Sequence, residues 1–366
     1  MMDYVNLIQF YKQLNPAFKN SPVIVAGGSY GGMLAAWIRM KYPQHFTGAL
    51  ASSAPILWFR GKIDPSAYNA VAGQVIKRKE FGGQQCYNIY SRGIFDLTNL
   101  AQDPSHFDKV QEIFHVCEKL NKTDDVLNII DQVSDSLGTL NMVNYPYPTG
   151  FIGTLPAWPV KYACDAAINS TKAEKLGADI SKYNYTHVEA LYAAYNVTFN
   201  YTGTAGKCWS ISSEEQGSLD SSGWEIQTCN DLPLPQGSDP AQTCFGWTNW
   251  YEAGHTQLCQ NKYGLTPRYD YALSFFGGKS MNDFRYASNI IFSNGDLDPW
   301  HAGGVNEPIN SMTDVIYMKM AAHHLDLRLP NPADPPQVTE GRAKETQIIK
   351  RWISEHYTQI ERSKEL

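Results

Sequence analysis

A G-x-S-x-G pentapeptide with Ser29 at its centre lies near the start of this 366-residue sequence. A short apolar run at 23–26 precedes it, and an apolar, helix-forming stretch at 33–38 follows it. Strand, sharp turn and helix in this order are typical of a nucleophile elbow, where small residues flank the serine because the strained turn brings neighbouring backbone close. The pattern therefore predicts a nucleophilic serine; the alternative is a Gly-rich β-to-α turn that happens to hold one.

The overall composition is that of a globular protein with a large core. Hydrophobic residues make up 43% of the chain and charged residues 18%, and the net charge is −6. The sequence has no basic block, which argues against nucleic acid as a partner. No apolar run approaches the ~18 residues of a membrane-spanning helix, so no membrane span is predicted.

Cysteines and glycosylation sequons share one region of the chain and point to an oxidising, secretory compartment. All seven cysteines fall between positions 86 and 259, none of them in a C-x-x-C pair, and their odd number leaves one thiol without an internal partner. The N-x-[ST] sequons are at Asn121, Asn169, Asn184, Asn196 and Asn200.

Hydrophobic periodicity divides the sequence into sheet-forming ends and a polar middle. A helix is predicted at 3–14, and strand 23–26, helix 31–41 and strand 46–51 then form a β-α-β unit, which implies parallel strands. Two further strands at 289–292 and 315–318 precede a long helix at 336–357. Between the two ends, helices are predicted at 109–120 and 126–137, and an irregular stretch at 208–244.

This arrangement predicts the α/β class, with an α/β-hydrolase core interrupted by an inserted domain. The core is assigned to 1–57 and 286–366, and the mostly helical cap to 58–285. The cap contains all the cysteines and sequons, so disulfides and N-glycans are expected there.

A nucleophilic serine needs a base and an acid that orients the base, and in α/β-hydrolases the chain order is Ser, acid, His. Asp298 follows the strand at 289–292 and is the favoured acid, since Pro299 fixes its backbone and Trp300 can shield it from water. Asp296 is the competing acid, and either aspartate can instead form an ordinary Asx turn.

The base is expected after the next strand, where His323 and His324 are adjacent. Neighbouring residues on an extended loop point in opposite directions, so one of the two can reach the serine. The residue types alone leave the choice open. His255, near Cys259, is interpreted as a structural residue rather than a metal ligand.

Four stretches resemble one known family of enzymes, the lysosomal Pro-X carboxypeptidase and dipeptidyl peptidase II family of serine peptidases. GGSYGGMLAAWIRMKYPQHFTGALASSAP at 27–55 resembles its elbow, and NIIFSNGDLDPWHAGGV at 289–305 its acid motif. AAHHLDLR at 321–328 is similar to its histidine motif, and VNYPYPTGFIGTLPAWPVK at 143–161 to part of its inserted domain. The resemblance extends over most of the chain.

The resemblance implies a hydrolase core with a helical cap, cleavage at prolyl bonds and a triad of Ser29, Asp298 and His323. It favours the first histidine of the pair as the base. The α/β-hydrolase elbow also assigns an oxyanion-hole N–H to the residue after the serine, here Tyr30. A lysosomal or secreted location, N-glycans and peptide substrates with proline at the scissile bond are expected, and no cofactor or metal.

The resemblance also implies a disulfide framework that spacing alone cannot assign. Its bridges would be Cys86–Cys164, Cys117–Cys208 and Cys229–Cys259. Cys244 would then be the unpaired cysteine.

Prolyl specificity calls for a flat apolar pocket beside the serine, because the proline ring fixes φ and fills space near the scissile bond. Met33 and Trp300 are the candidates for its wall, with a purely structural core role as the alternative. The cap stretch at 143–161 favours the carboxypeptidase branch over dipeptidyl peptidase II-like release of N-terminal X-Pro dipeptides. A homodimer is compatible with the sequence.

The start of the sequence raises a further expectation. Residues 1–22 suffice for one helix and contain no signal peptide, whereas an α/β-hydrolase sheet normally begins with several strands before the elbow. The sequence is therefore expected to lack the early strands of its core. The second hypothesis for function is accordingly an inactive, truncated glycoprotein fragment with a binding role.

Overall fold

A computed structural model describes residues 1–173, 185–211 and 221–365 of the chain. These residues form a mixed α/β structure in which a parallel sheet is accompanied by many helices, so the predicted fold class is confirmed. None of the described helices combines the length and the low polarity needed to cross a bilayer.

The elements occur in the following order along the described residues. The strands are β1 (Ile24–Gly28), β2 (Gly48–Ser52), β3 (Ile290–Gly295) and β4 (Thr313–Met318). The helices are α1 (Met2–Leu14), α2 (Tyr30–Lys41), α3 (Ala67–Ile76), α4 (Gly83–Leu100), α5 (Phe107–Phe114), α6 (Thr123–Met142), α7 (Pro159–Ala173), α8 (Thr186–Asn200), α9 (Ser221–Thr228), α10 (Glu252–Tyr263), α11 (Tyr271–Phe275) and α12 (Pro336–Glu365).

The strands pair in parallel in the order β1-β2-β3-β4 within the described part of the chain. β1, α2 and β2 form the predicted β-α-β unit. β2 and β3 are buried along their whole length, as expected for strands covered on both faces, whereas β1 at the edge is only partly buried. The register sets Gly28 beside Ser52 and Ser52 beside Ser293, so the carboxyl ends of these three strands are level.

The sheet belongs to one compact unit, made of Met1–Ile63, Asp231–Leu234 and Arg268–Leu366. Its core includes Trp37 of α2, which stacks on Phe276 with ring centroids 4.1 Å apart. On α12, Trp352 is fully buried and lies so close to β2 that a Cβ on Gly48 would approach its ring to 2.3 Å. Large side chains thus anchor both helices to the sheet.

The boundaries of this unit differ from those proposed from the sequence. Residues 58–63, 231–234 and 268–285, predicted to belong to the cap, are part of the sheet unit. The stacking of Trp37 on Phe276 joins the last of these segments to α2, and the ion pair between Arg60 and Asp270 at 2.7 Å joins that segment to the first. Both contacts are remote in sequence, and a change in composition along the chain could not reveal them.

The second compact unit comprises Asp64–Asn230 and Pro235–Pro267 and is mainly helical in its described part. Among the described residues, it holds three disulfides, the pairs that the family resemblance implied, with Cα–Cα distances of 5.1–5.4 Å. Cys244 is free and buried, and burial raises the pKa of its thiol well above the usual value. The bridges link Cys86 to Cys164, Cys117 to Cys208 and Cys229 to Cys259.

Two predictions for the middle of the chain were wrong in detail. The helix expected at 109–120 ends at Phe114, because His115 adopts a left-handed φ of 51° and Val116 forms a bridge with Trp209. The stretch 208–244, expected to be irregular, contains the helix α9. Residues 212–220 of that stretch lie outside the described residues.

Candidate active site

Ser29 occupies a sharp turn between β1 and α2. Its backbone has φ 58° and ψ −127°, a conformation that L residues rarely adopt and that stores strain. The Ser29 N–H donates to the carbonyl of Ser52 on the neighbouring strand at 3.0 Å, and the Ser29 carbonyl accepts from the N–H of Met33 at 3.0 Å. The turn is therefore held from the sheet on one side and from the helix on the other.

The two glycines that flank Ser29 in the pentapeptide differ in how closely they are packed. A Cβ on Gly27 would lie 2.2 Å from the carbonyl oxygen of Gly31, a distance that forces the turn to open. A Cβ on Gly31 would meet nothing within 4 Å. Close backbone approach thus explains the first glycine and does not explain the second.

Asp298 and His323 form a buried pair at the carboxyl ends of β3 and β4. The Nδ1 atom of His323 lies 2.9 Å from Oδ2 of Asp298, and both side chains are at most 1% exposed. An ionised carboxylate can only accept, so Nδ1 carries the proton and Nε2 of the neutral ring is left as the proton acceptor. This is the tautomer that a general base requires.

The electrostatic interaction with His323, together with hydrogen bonds, keeps the buried Asp298 carboxylate ionised. Burial by itself would raise the pKa of Asp298, but the adjacent His323, the Ser53 hydroxyl and the N–H of Trp300 stabilise the charge, so its pKa lies below the usual value. Trp300 N–H donates to Oδ1 at 3.0 Å, and Pro299 begins the short 3-10 helix that Asp298 caps.

The competing residues have other partners. Asp296 accepts a hydrogen bond from the N–H of Met320 at 2.6 Å and so ties two loops together. The His324 N–H donates to the Ser53 hydroxyl at 2.8 Å, and a Cβ on Gly28 would come within 2.9 Å of the His324 ring. Burial, and then the charge of the neighbouring His323, lower the pKa of His324 to about 3, so this ring is neutral at physiological pH.

Tyr30 and the two pocket candidates are also located by the structure. Tyr30 is the first residue of α2, so its N–H belongs to the positive end of the helix dipole, beside the serine. Met33 is 1% exposed within the hydrophobic core, where α2 packs on the sheet, and not on an open pocket wall. Trp300 is half-buried and lies edge-on to Trp58 with ring centroids 4.9 Å apart.

One group of side chains in the described residues has the composition of a metal site. Cys229, His255 and Cys259 offer ligand atoms within 4.8 Å of one another. The two cysteines are bonded to each other, however, and a disulfide lacks the thiolates that bind zinc. The disulfide therefore favours the prediction that His255 is a structural residue rather than a metal ligand.

Comparison with known proteins assigns the chain to a family. The family model described as serine carboxypeptidase S28 matches residues 1–345. Lysosomal Pro-X carboxypeptidase from Bos taurus is 35% identical over 98% of this chain and 69% of its own length, and that from Homo sapiens is 33% identical over 98% and 68%. The chain belongs to the serine carboxypeptidase S28 family. It is therefore a serine peptidase, and so a hydrolase.

A more distant similarity lies in the same class of enzymes. Thymus-specific serine protease from Mus musculus is 25% identical over 92% of this S28 chain and 65% of its own length.

The sequons of this S28 protein differ in exposure. Asn121 and Asn169 are exposed, whereas Asn196 and Asn200 are half-buried, and Asn200 accepts a hydrogen bond from the N–H of Ala205. Asn184 lies outside the described residues. Exposure favours the first two as glycan acceptors, and glycosylation stays a prediction for all five.

Sequence reasoning missed several buried polar residues of the S28 chain near the triad candidates. Ser52 ends β2, Ser53 follows it, and Ser293 lies on β3, yet all three are at most 1% exposed. Their hydroxyls donate to the carboxylates of Asp298 and Asp326. Serines at the ends of two apolar strands were the available signal, since buried hydroxyls require partners.

The packing of the elbow yields a matched pair of variants. We expect Gly27→Ala to abolish labelling of Ser29 by a fluorophosphonate and to lower the midpoint of thermal unfolding. Gly31→Ala should keep both near the native values, since its new methyl group meets no atom and alanine favours the helix by up to ~1 kcal/mol. Equal losses in both variants would contradict the close approach.

Proposed function

We propose that this S28 peptidase is a Pro-X carboxypeptidase that acts through Ser29, Asp298 and His323. The observation that carries the proposal is the buried hydrogen bond between His323 and Asp298, at the edge of the sheet where the strained Ser29 turn also lies. The relatives named Pro-X carboxypeptidase support the choice of substrate bond.

In the proposed first step, Ser29 Oγ attacks the carbonyl carbon of a prolyl residue while its proton passes to Nε2 of His323. The charge that develops on the carbonyl oxygen is stabilised by the N–H of Tyr30 at the start of α2. Asp298 stabilises the imidazolium that forms and is not itself protonated.

Collapse of the tetrahedral intermediate breaks the C–N bond of the prolyl peptide. The leaving amino acid takes the proton from His323, and the prolyl group stays on Ser29 as an ester. Water then attacks the ester, with His323 again as the base, and restores the serine hydroxyl. The chemistry uses no metal or cofactor.

We also propose a lysosomal site of action and N-glycosylation in the disulfide-containing unit. The relatives are named lysosomal, and the disulfides and exposed sequons fit an oxidising route through the cell. The peptide substrates would carry proline next to the scissile bond.

Substitution of the two loop aspartates tests the proposed triad. Asp298→Asn keeps the shape but favours the wrong imidazole tautomer, so kcat should fall by about 10⁴-fold. Asp296→Asn is the matched control, because an asparagine oxygen can still accept from Met320, and its kcat should stay within a few-fold of native. Ser29→Ala should abolish fluorophosphonate labelling without loss of thermal stability. A native kcat in Asp298→Asn would refute the assigned acid.

The end of the substrate that is released tests the proposed specificity. We expect the native protein to release phenylalanine from an N-terminally blocked Pro-Phe dipeptide at acid pH and to leave an X-Pro-amide intact. The C-terminal amide of the blocked dipeptide is the matched control and should be a poorer substrate. Release of N-terminal X-Pro dipeptides alone would instead support the dipeptidyl peptidase II-like alternative, and no turnover with either substrate would support a binding role without catalysis.

A further inference from the structure

Asp326 connects the histidine loop to two strands of the sheet. Its carboxylate accepts one hydrogen bond from the hydroxyl of Ser52 on β2 and one from that of Ser293 on β3, each at 2.6 Å. The strand register pairs these two serines directly. Asp326 is buried and lies three residues after His323, so one carboxylate holds the loop across the carboxyl ends of both strands.

The other side of this loop is held by α12. Arg342 donates to the backbone carbonyls of Leu325, Asp326 and Arg328 at 2.8–3.1 Å. Glu345 follows one turn later on the same face of the helix, is only 5% exposed, and makes a side-chain hydrogen bond to Asp326. Two carboxyl groups therefore meet in the interior.

We propose that Asp326 and Glu345 share a single proton and that the protonated pair positions the loop that carries His323. The catalytic part of this inference rests on the proposed function, in which His323 is the base. The shared proton itself does not depend on that function; it rests on the burial of both carboxyl groups, on their contact with each other, and on the serine and Arg342 hydrogen bonds that fix Asp326 beside α12. Asp326 and Glu345 act through the loop and are positioning residues.

The charges around the pair determine which carboxyl holds the proton. Two adjacent buried carboxylates repel each other and do not both ionise. The groups facing Asp326 from β2 and β3 are the hydroxyls of Ser52 and Ser293, which donate to its carboxylate oxygens. From α12 it faces Glu345 and the guanidinium of Arg342, whose charge is already paired with Asp334 at 2.6 Å.

Glu345 is accordingly the protonated partner. Burial, and then the charge and hydrogen bond of Asp326, raise the pKa of Glu345 to about 9, against the opposing effect of Arg342. The folded protein retains this proton up to about pH 9, whereas an exposed glutamate in the unfolded chain releases it near its usual value of about 4.3. The pair therefore stabilises the fold in acid, and this stabilisation is lost as the pH rises between the two values.

Glu345→Gln tests the shared proton, since glutamine keeps the shape and can donate to Asp326 but cannot titrate. Between pH 5 and 8 this pair alone lowers the native folding equilibrium constant by up to about tenfold per pH unit. Glu345→Gln should remove that part of the pH dependence and unfold at a higher temperature than the native protein at pH 8. Glu340→Gln, exposed on the same helix, is the control and should behave as native.

An identical fall in unfolding temperature between pH 5 and 8 in the native protein and in Glu345→Gln would overturn the shared proton. Infrared spectroscopy of the native protein gives a second test that does not depend on a folded variant. At pH 7 a carboxylic-acid carbonyl band should persist, because exposed carboxyl groups are ionised there. Absence of that band would also overturn the proposal.

Asp326→Asn tests the positioning role. With one of its two serine bonds lost, the loop shifts, and kcat should fall by up to about 10²-fold with KM little changed. A native kcat in this variant would refute the positioning role, as would an equal effect on kcat and KM. If the native protein does not react with a fluorophosphonate, the proposed function is contradicted. The unfolding and infrared measurements then still test whether Asp326 and Glu345 share a proton.

Discussion

Parallel pairing of the strands is the constraint on which the candidate site depends. All parallel strands of a sheet end at the same edge, so the turns after β1, β3 and β4 meet there although Ser29 and His323 are almost three hundred positions apart in sequence. Backbone bonds make the edge continuous: Ser29 N–H donates to Ser52, and Ser53 N–H donates to Ser293. A register slip at any one strand would move its loop away from the others.

Two carboxylates are buried at this edge of the sheet, and both depend on hydrogen-bond donors around them. Asp298 and Asp326 are both buried, and the carboxylate of each accepts hydrogen bonds from hydroxyl or N–H donors. An isolated buried carboxylate would be strongly destabilising, so these carboxylates can be buried in ionised form only because the donors are present. Ser52, Ser53 and Ser293 supply hydroxyl donors, and the N–H of Trp300 supplies a further one.

Local pattern in the sequence was sufficient for much of the fold. Apolar runs located β1 to β4, α2 and the start of α12, because burial between helices leaves an uninterrupted apolar strand. The sequence pattern predicted the wrong end for α5, which stops at Phe114 because His115 is left-handed. It also predicted the wrong unit for residues 268–285, whose contacts with the rest of the sheet unit are distant in sequence. Both failures arise from tertiary contacts that local propensity does not encode.

The residues of the candidate site likewise include some that local sequence pattern predicted and some that it did not. The elbow could be recognised from the sequence because the strained turn imposes a small residue at Gly27, although no close contact requires the glycine at position 31. Choosing Asp298 over Asp296 needed an argument about dehydration, and the burial of Asp298 agrees with that argument. Met33 was proposed for a pocket wall and lies in the core, since helical spacing alone does not tell which buried face meets a substrate. The Asp326 network joins four distant segments, and its local signal was limited to the serines that follow two apolar runs.

The most direct test of this account is a crystal structure of the protein after reaction with a fluorophosphonate. The account predicts phosphorus bonded to Ser29 Oγ, a phosphonyl oxygen within hydrogen-bond distance of the Tyr30 N–H, and His323 still bonded to Asp298 with its Nε2 directed at the adduct. An adduct on a different residue, or a His323 ring turned away from a phosphonylated Ser29, would contradict it.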